Sequence, residues 1–253
     1  MLNFGITKHM SRLPRFFISP EQVAGSRISI YGEDVRHIAV VLRMKPGEKL
    51  LLCDGKGGEY TAQILRTSRS EIVTEIMSES HQQIPYPHVT LGQGLPKTDK
   101  MDWIMQKGTE LGVEAIVPLV TERTILRLKD EEKRITRWQK ICREAAMQSA
   151  RVNIPRVSRT IFFRDFLSTL DPGPLTLLLL LWQEGVQPVK EVLRNNDDVK
   201  KIVVLIGPEG GFSAAEAEMA KARGFHPVSL GLNILRTETA AIAVLSMIMY
   251  EYN

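Results

Sequence analysis

The feature that most constrains this chain is a short one. Ile202 to Ile206 is an unbroken apolar run, and it passes directly into Gly207-Pro208-Glu209-Gly210-Gly211-Phe212-Ser213. A continuous apolar strand has no polar face for water, so both sides of its sheet must be covered, as in parallel α/β sheets. Leu175 to Trp182, interrupted only by Thr176, is a second strand of this kind. Glycines at a strand end let backbone groups approach a ligand with no Cβ in the way. Some twenty residues on, Leu230-Gly231-Leu232-Asn233-Ile234-Leu235-Arg236-Thr237-Glu238-Thr239-Ala240-Ala241 reads as another strand, a loop and a final helix. Two loops at strand ends in an open α/β sheet predict a small-molecule site.

The glycine loop also excludes chemistries. No Gly-Lys-Ser/Thr follows it and no Gly-x-Gly-x-x-Gly is present, which disfavours nucleoside triphosphates and dinucleotides. Gly-x-Ser-x-Gly is missing, so hydrolase chemistry has no support. His9, His37, His81, His88 and His226 show no metal spacing, and no metal is expected. Cys53 and Cys142 stand far apart and suggest neither a disulfide framework nor a metal site, which fits a reducing cytoplasm. No apolar run has the length of a membrane span, and no signal-peptide pattern opens the chain.

Two composition regimes divide the sequence. Residues 14–84 carry short strand-like runs, a turn signal at Asp54-Gly55-Lys56-Gly57-Gly58, and one helix predicted from Asp34 to Arg43, which together suggest a small β-barrel. His81 to His88 is linker-like. Residues 88–253 alternate strand and helix. Strands are predicted over 89–95 and 115–119, and helices over 99–111, closed by Gly112, and 130–150, with Asp130 as N-cap. Ser213-Ala-Ala-Glu216 is a capping-box pattern whose helix stops at Gly224. Thr237 is predicted to cap the last helix, whose Ala241, Val244, Leu245 and Ile248 face inward.

Charge is uneven. The chain carries +4, yet Arg123 to Arg164 holds twelve Lys and Arg against four acids, a local +8, so the remainder is net −4. A basic face on a mildly acidic protein is the footprint expected for phosphate backbones, although a solvated helix face gives the same pattern. In the second loop, Leu232, Ile234 and Leu235 could wall an adenine pocket. Arg236 and Glu238 beside a core helix need each other or a ligand as partner.

Several motifs, in order and spacing, carry a family resemblance. They are Pro14-Arg15-Phe16-Phe17, Arg36-His37-Ile38 to Leu42-Arg43, Lys97-Thr98-Asp99-Lys100-Met101-Asp102, Gln106-Lys107-Gly108-Thr109-Glu110-Leu111-Gly112-Val113, Glu122-Arg123, Ala145-Ala146-Met147-Gln148-Ser149-Ala150-Arg151, and the two loops. The chain resembles the knotted SPOUT methyltransferases, and within them the RsmE family of 16S rRNA uridine-N3 methyltransferases. The resemblance implies a PUA-like barrel for RNA binding (14–84), then an α/β-knot domain with a deep trefoil knot and parallel sheet (88–253).

It also implies an S-adenosylmethionine pocket made by Gly207, Pro208, Glu209, Gly210, Gly211, Leu230, Gly231, Ile234, Leu235, Arg236, Glu238, Thr239 and Ala240, with Leu181, Trp182 and Glu184 at its edge. The substrate would be 16S rRNA of the small ribosomal subunit, and the protein a homodimer through the knot domain, with the last helix in the interface. Catalytic candidates are Arg151, Arg123, Glu110 and Arg236. Arg15, Arg36, Arg43, Lys97, Arg123 and Arg151 are the RNA-binding candidates. Two departures from the family pattern are Met147, where Glu is common, and Leu232-Asn233, where Pro-Arg is common. Ribose 2′-O-methylation, as in knotted relatives, and a non-catalytic RNA-binding or assembly role remain as alternatives.

Overall fold

The computed structural model describes residues 13–97, 100–125, 130–185 and 187–252. The leader, the predicted helix start at Asp99, and Arg127 and Lys129 of the basic segment lie outside them. The chain forms two compact units, residues 1–84 and 85–253.

The first unit holds β1 (Arg15–Phe17), β2 (Val23–Ala24), β3 (Arg27–Tyr31), α1 (Glu33–Arg36), β4 (Lys49–Cys53), β5 (Gly58–Thr67) and β6 (Glu71–His81). They build a six-stranded sheet in the order β1-β4-β5-β6-β3-β2. It is antiparallel except for the β1–β4 pair. The hairpin expected at Gly55 joins β4 to β5. Its turn is held by the Asp54 carboxylate, which accepts from the Lys56 and Gly58 N–H groups, an Asx-type closure. The predicted helix over 34–43 is shorter and less regular. One α turn gives way to a π turn over His37–Val41, and Arg43 ends it in the left-handed region at φ 55°.

The second unit holds β7 (His88–Gly94), α2 (Lys100–Glu110), β8 (Ala115–Val120), α3 (Glu131–Gln148), β9 (Arg156–Val157), β10 (Ile161–Phe162), α4 (Phe163–Thr169), β11 (Thr176–Leu181), β12 (Gln187–Pro188), α5 (Val189–Arg194), β13 (Lys201–Ile206), α6 (Ala214–Ala222), β14 (His226–Ser229) and α7 (Thr237–Tyr252). Its sheet runs β10-β8-β7-β13-β11-β14-β12, with β9 also on β8, and every pair is parallel.

The apolar strands are explained by the two layers of helices. Leu177, Leu179, Ile202, Val204 and Ile206 point into one core with residues of α2, α3, α5 and α7. Leu178, Leu180, Val203 and Leu205 point into the other, with Phe163, Phe166 and Leu167 of α4 and Ala217 and Ala220 of α6. Alternate residues of one strand thus serve opposite cores, which is the period of two applied to a sheet covered on both faces. The inward stripe of α7 is buried as expected.

Three local expectations change. Asp130 occupies the N-cap position of α3, but in the left-handed region (φ 58°) and with no side-chain cap bond. The strand before the last helix is β14, ahead of Leu230, and residues 230–236 are loop. Thr237 is the first residue of α7, where the Ala240 N–H already bonds the Arg236 carbonyl, so Arg236 takes the cap position and the Thr237 hydroxyl is used elsewhere.

Candidate active site

Parallel strands end together, and here their ends make the floor of a cavity. Register pairs Gln93 with Ile206, Ile206 with Leu181, and Leu181 with Val228, one row across four strands. Beyond this row lies a cavity of about 360 Å³. One wall is the glycine loop, contributing Gly207, Pro208, Glu209 and Gly211. The other is the segment from Ser229 to Thr237, and Leu181, Trp182 and Gln183 close a third side.

The glycine loop is shaped by close backbone approach. A Cβ on Gly207 would stand 2.7 Å from the Gly211 carbonyl carbon, so the loop can fold back on itself only with glycine there. Gly211 sits at φ 68°, where side chains are disfavoured. Gly94, at the end of β7, underlies the same loop. A Cβ there would come within 2.6 Å of the Pro208 nitrogen.

A buried lock ties the two walls together. The Thr237 hydroxyl donates to the Gly207 carbonyl at 2.6 Å and accepts from Gln93 Nε2 at 2.9 Å. The same Gln93 nitrogen donates to the Gly94 carbonyl. The Gln93 Oε1 acceptor is buried without a hydrogen-bond partner among the described residues.

A charged strap joins the walls on the outside. Lys100, at the start of α2, donates to Glu209 at 3.0 Å and stands 3.4 Å from Glu238 of α7. The second contact is an ion pair without hydrogen-bond geometry, since Glu238 Oε2 accepts no hydrogen bond. Glu209 also accepts from the Lys97 backbone N–H. Partial burial opposes ionisation of Glu209, but the hydrogen bonds from Lys100 and the backbone outweigh it and hold the carboxyl below its ordinary value. The Glu209 hydrogen bond, working against desolvation, lifts Lys100 above its ordinary value.

Beside the glycine loop, a second cavity of about 450 Å³ is lined by Lys97, Glu122, Arg123, Thr124, Ile125, Glu209 and Gly210. Glu209 therefore belongs to both cavities. Arg123 Nη1 donates to the Gly210 carbonyl at 2.6 Å.

Most of the predicted cofactor residues converge on the first cavity: Leu181, Trp182, Gly207, Pro208, Glu209, Gly211, Leu230, Gly231, Ile234, Leu235, Arg236 and Ala240. Glu184, Gly210, Glu238 and Thr239 do not line it. Arg236 is exposed and pairs with no acid among the described residues, while Glu238 goes to Lys100 instead of Arg236. Leu232 is fully exposed and Ile234 nearly so (80%), so these walls of the cavity stand out into solvent.

Glu110 and Arg151 lie elsewhere within one chain. Ten residues of helix separate Glu110 from Lys100, about 15 Å of rise, and its carboxylate pairs with Lys107 at 2.8 Å. Arg151 donates to the Thr109 carbonyl at 2.6 Å and to Asn153 Oδ1 at 3.1 Å. Burial lowers its guanidinium to about 10.

In the first unit Arg36 and Arg43 are exposed, but Arg15 is not available to solvent in the way an RNA contact needs. Its side chain is only 13% exposed and pairs with the buried Glu59 at 2.7 Å, while Gln82 donates to the other Glu59 oxygen. Gln93, Gly94, Lys100, Ser229 and Thr237 are site residues that sequence reasoning did not assign. Gln93 could have been suspected as a polar residue at the end of a buried strand.

With the geometry in place, the comparisons with known proteins decide the family. The model of an RNA methyltransferase domain matches residues 82–249, and that of an RNA methyltransferase PUA domain matches residues 30–77. Ribosomal RNA small subunit methyltransferase E of Bacillus subtilis is 32% identical, covering 94% of this chain and 97% of its own length. The Synechocystis protein of the same name is 36% identical, over 92% of this chain and 76% of its own length.

This chain belongs to the ribosomal RNA small subunit methyltransferase E family.

A solved structure of that methyltransferase from Neisseria gonorrhoeae, bound to S-adenosyl methionine, superposes with a TM-score of 0.85 at 33% identity, covering 95% of this chain and 98% of its own. The parallel α/β unit is thus the family's methyltransferase domain, and the first unit carries its PUA domain. Among the described residues, no helix is long and apolar enough to cross a membrane.

Proposed function

We propose that this chain transfers the methyl group of S-adenosylmethionine to N3 of a uridine in the 16S rRNA of the small ribosomal subunit. The observation that carries the reading is the cavity at the ends of β11, β13 and β14, walled by a glycine loop and locked to α7 through Thr237. Its size suits a nucleoside-sized ligand. Leu181, Ile206, Val228, Leu230 and Leu235 offer an apolar slot for an adenine, and the Cβ-free Gly207 wall lets backbone groups approach the ligand. The family-wide match extends the same reading to the substrate.

Bound S-adenosylmethionine supplies a methyl already activated on a sulfonium, so the residues' main work is in-line placement. The second cavity is the place for the acceptor base, since Glu209 is shared by both. As the new N–C bond forms at uracil N3, the methyl–sulfur bond breaks and the N3 proton leaves to solvent. Arg123 and Lys97 are the cations placed to stabilise the charge that develops on the base oxygens. Arg236, exposed at the cavity rim, orders the ligand loop or meets RNA phosphate. Arg36 and Arg43 of the PUA unit grip the RNA backbone, which positions without specifying sequence. The target's N3 edge has to be unpaired or extruded.

The protein works as a homodimer through the second unit. Met247 (37% exposed) and Tyr250 (82% exposed), three residues apart on one face of α7, support this, because they leave apolar surface for a second copy. Sedimentation at micromolar concentration tests it, and a monomer would refute it.

The chemical test is transfer of labelled methyl to unmethylated small subunits, mapped by reverse transcription. A cofactor-dependent stop one nucleotide before a uridine is expected. Label without a stop would mean methylation of the ribose or of another non-pairing position, and no label on subunits or on naked rRNA would leave an RNA-binding protein.

A further inference from the structure

Glu216 is a carboxylate with 5% exposure, on a helix that otherwise only backs the sheet. Half of its role is the capping box. Glu216 Oε2 accepts from the Ser213 N–H at 3.0 Å, and the Glu216 N–H donates to Ser213 Oγ at 3.2 Å. A capping box uses one carboxylate oxygen. The other does something the box does not require: Oε1 accepts from the Glu122 N–H at 2.8 Å, 94 residues away.

The next residue is Arg123, whose guanidinium holds the Gly210 carbonyl. Gly210 is joined through Gly211 and Phe212 to Ser213, which is bonded to Glu216. The contacts therefore close a ring: Glu216 to Glu122, along the chain to Arg123, across to Gly210, and back along the glycine loop to the cap. A Cβ on Gly210 would stand 3.2 Å from Arg123 Cδ, so the side chain lies close along the loop.

We infer that Glu216 is a positioning residue for methyl transfer: by capturing the Glu122 N–H it sets the Arg123 guanidinium and, through Gly210, the glycine loop that separates the two cavities. The inference rests on the proposed methyltransferase reading but goes beyond it, because Glu216 lines neither cavity. A carboxylate suits the task. Its two oxygens accept only, so both captured N–H groups are satisfied at once. A glutamine offers one acceptor oxygen and one NH2. With its oxygen kept on the Ser213 N–H, it turns a donor toward the Glu122 N–H.

The test compares Glu216→Gln, Ser213→Ala and Arg123→Ala, alone and combined. E216Q keeps the cap oxygen and is expected to fold, with kcat about tenfold down, the size of one lost charge-assisted hydrogen bond in a site. S213A keeps the Ser213 N–H bond to Glu216 and removes only the hydroxyl of the cap, so it lowers the melting temperature and should cost clearly less kcat than E216Q. R123A and R123A/E216Q should have the same kcat, because the effect of Glu216 passes through Arg123.

Wild-type kcat in E216Q, or the same proportional loss in the R123A background, would overturn the inference. If E216Q does not fold, Glu122→Pro, which deletes the captured N–H itself, replaces it with the same expectations. Should wild-type protein transfer no methyl, the proposed function has failed, and the ring is judged by nuclear magnetic resonance of the Arg123 guanidinium. Slow Nη exchange in wild type and S213A but fast exchange in E216Q supports the ring, and equal exchange in all three refutes it.

Discussion

Thr237→Val tests whether one hydroxyl holds the two walls of the cavity together. Threonine and valine have nearly the same shape, so the substitution removes two hydrogen bonds and little else. The Thr237 hydroxyl donates to the Gly207 carbonyl at 2.6 Å and accepts from Gln93 at 2.9 Å, and the residue is 6% exposed, so water does not take over. After the change the Gly207 carbonyl has lost its donor and Gln93 keeps only its bond to Gly94. Turning the Gln93 amide over would set its oxygen against the Gly94 carbonyl, so rotation gives no relief. The Gly207 carbonyl left without its donor costs about 1–3 kcal/mol and the lost Gln93 bond about 0.5–1.5 kcal/mol more, together about 2–4 kcal/mol. For a chain of this size that lowers Tm by on the order of 10 °C. Thermal melts followed by circular dichroism, with wild type, T237V and T237S side by side, measure it. Serine keeps the hydroxyl and should restore most of the loss. Calorimetric titration with S-adenosylmethionine should show weaker binding to T237V, because the Gly207 backbone lines the cavity. A T237V protein within about 0.5 kcal/mol of wild type, the spread of inconsequential surface changes, would refute the lock.

Gly94→Ala places a methyl about 2.6 Å from the Pro208 nitrogen, backbone that cannot step aside cheaply, so S-adenosylmethionine affinity should fall at least tenfold, read by titration calorimetry. Lys100→Met removes the strap, and its signature is in pH. Glu209 has a lowered folded value, so its contribution is present above its ordinary 4.5 and lost as pH falls through the folded value. Lys100 has a raised folded value, so its contribution is present below 10.5 and lost as pH climbs through the folded value. Urea stability of K100M across pH should lose the alkaline slope and keep a reduced acid one, since the Lys97 N–H still holds Glu209, and unchanged slopes would count against the strap. Arg15→Met should cost about 3–5 kcal/mol in urea unfolding, because it leaves the buried Glu59 carboxylate unpaired, whereas a pure RNA contact would leave stability untouched.

How far the sequence could be read depended on whether a signal was local. The capping box at Ser213 and Glu216, the Asp54–Gly58 turn and the helix ends at Gly112 and Gly224 depend on neighbours a few residues apart, and each appears as read. Asp130 and Thr237 look like equally good caps in sequence, yet neither acts as one. The Thr237 hydroxyl is taken by Gly207 and Gln93, far away in the sequence, and the Asp130 carboxylate stands by Lys133. The arginines mark the same boundary. The family resemblance places Arg15, Arg123 and Arg151 together as RNA-binding candidates. The fold gives Arg15 a buried acid, Arg151 a helix-end carbonyl, and Arg123 the rim of the glycine loop.

The sequence by itself determined the sheet covered on both faces, the break between the two units, and the glycine loop with its partner segment, because apolar periodicity and Cβ-free turns are written residue by residue. Only the tertiary structure decided which side chains work beside that loop. Gln93, Lys100, Glu216 and Thr237 are ordinary polar residues in sequence, separated from their partners by up to 144 positions. Their roles follow from strand order and register, which bring the ends of β7, β11, β13 and β14 to one edge of the sheet, and no local pattern encodes that order.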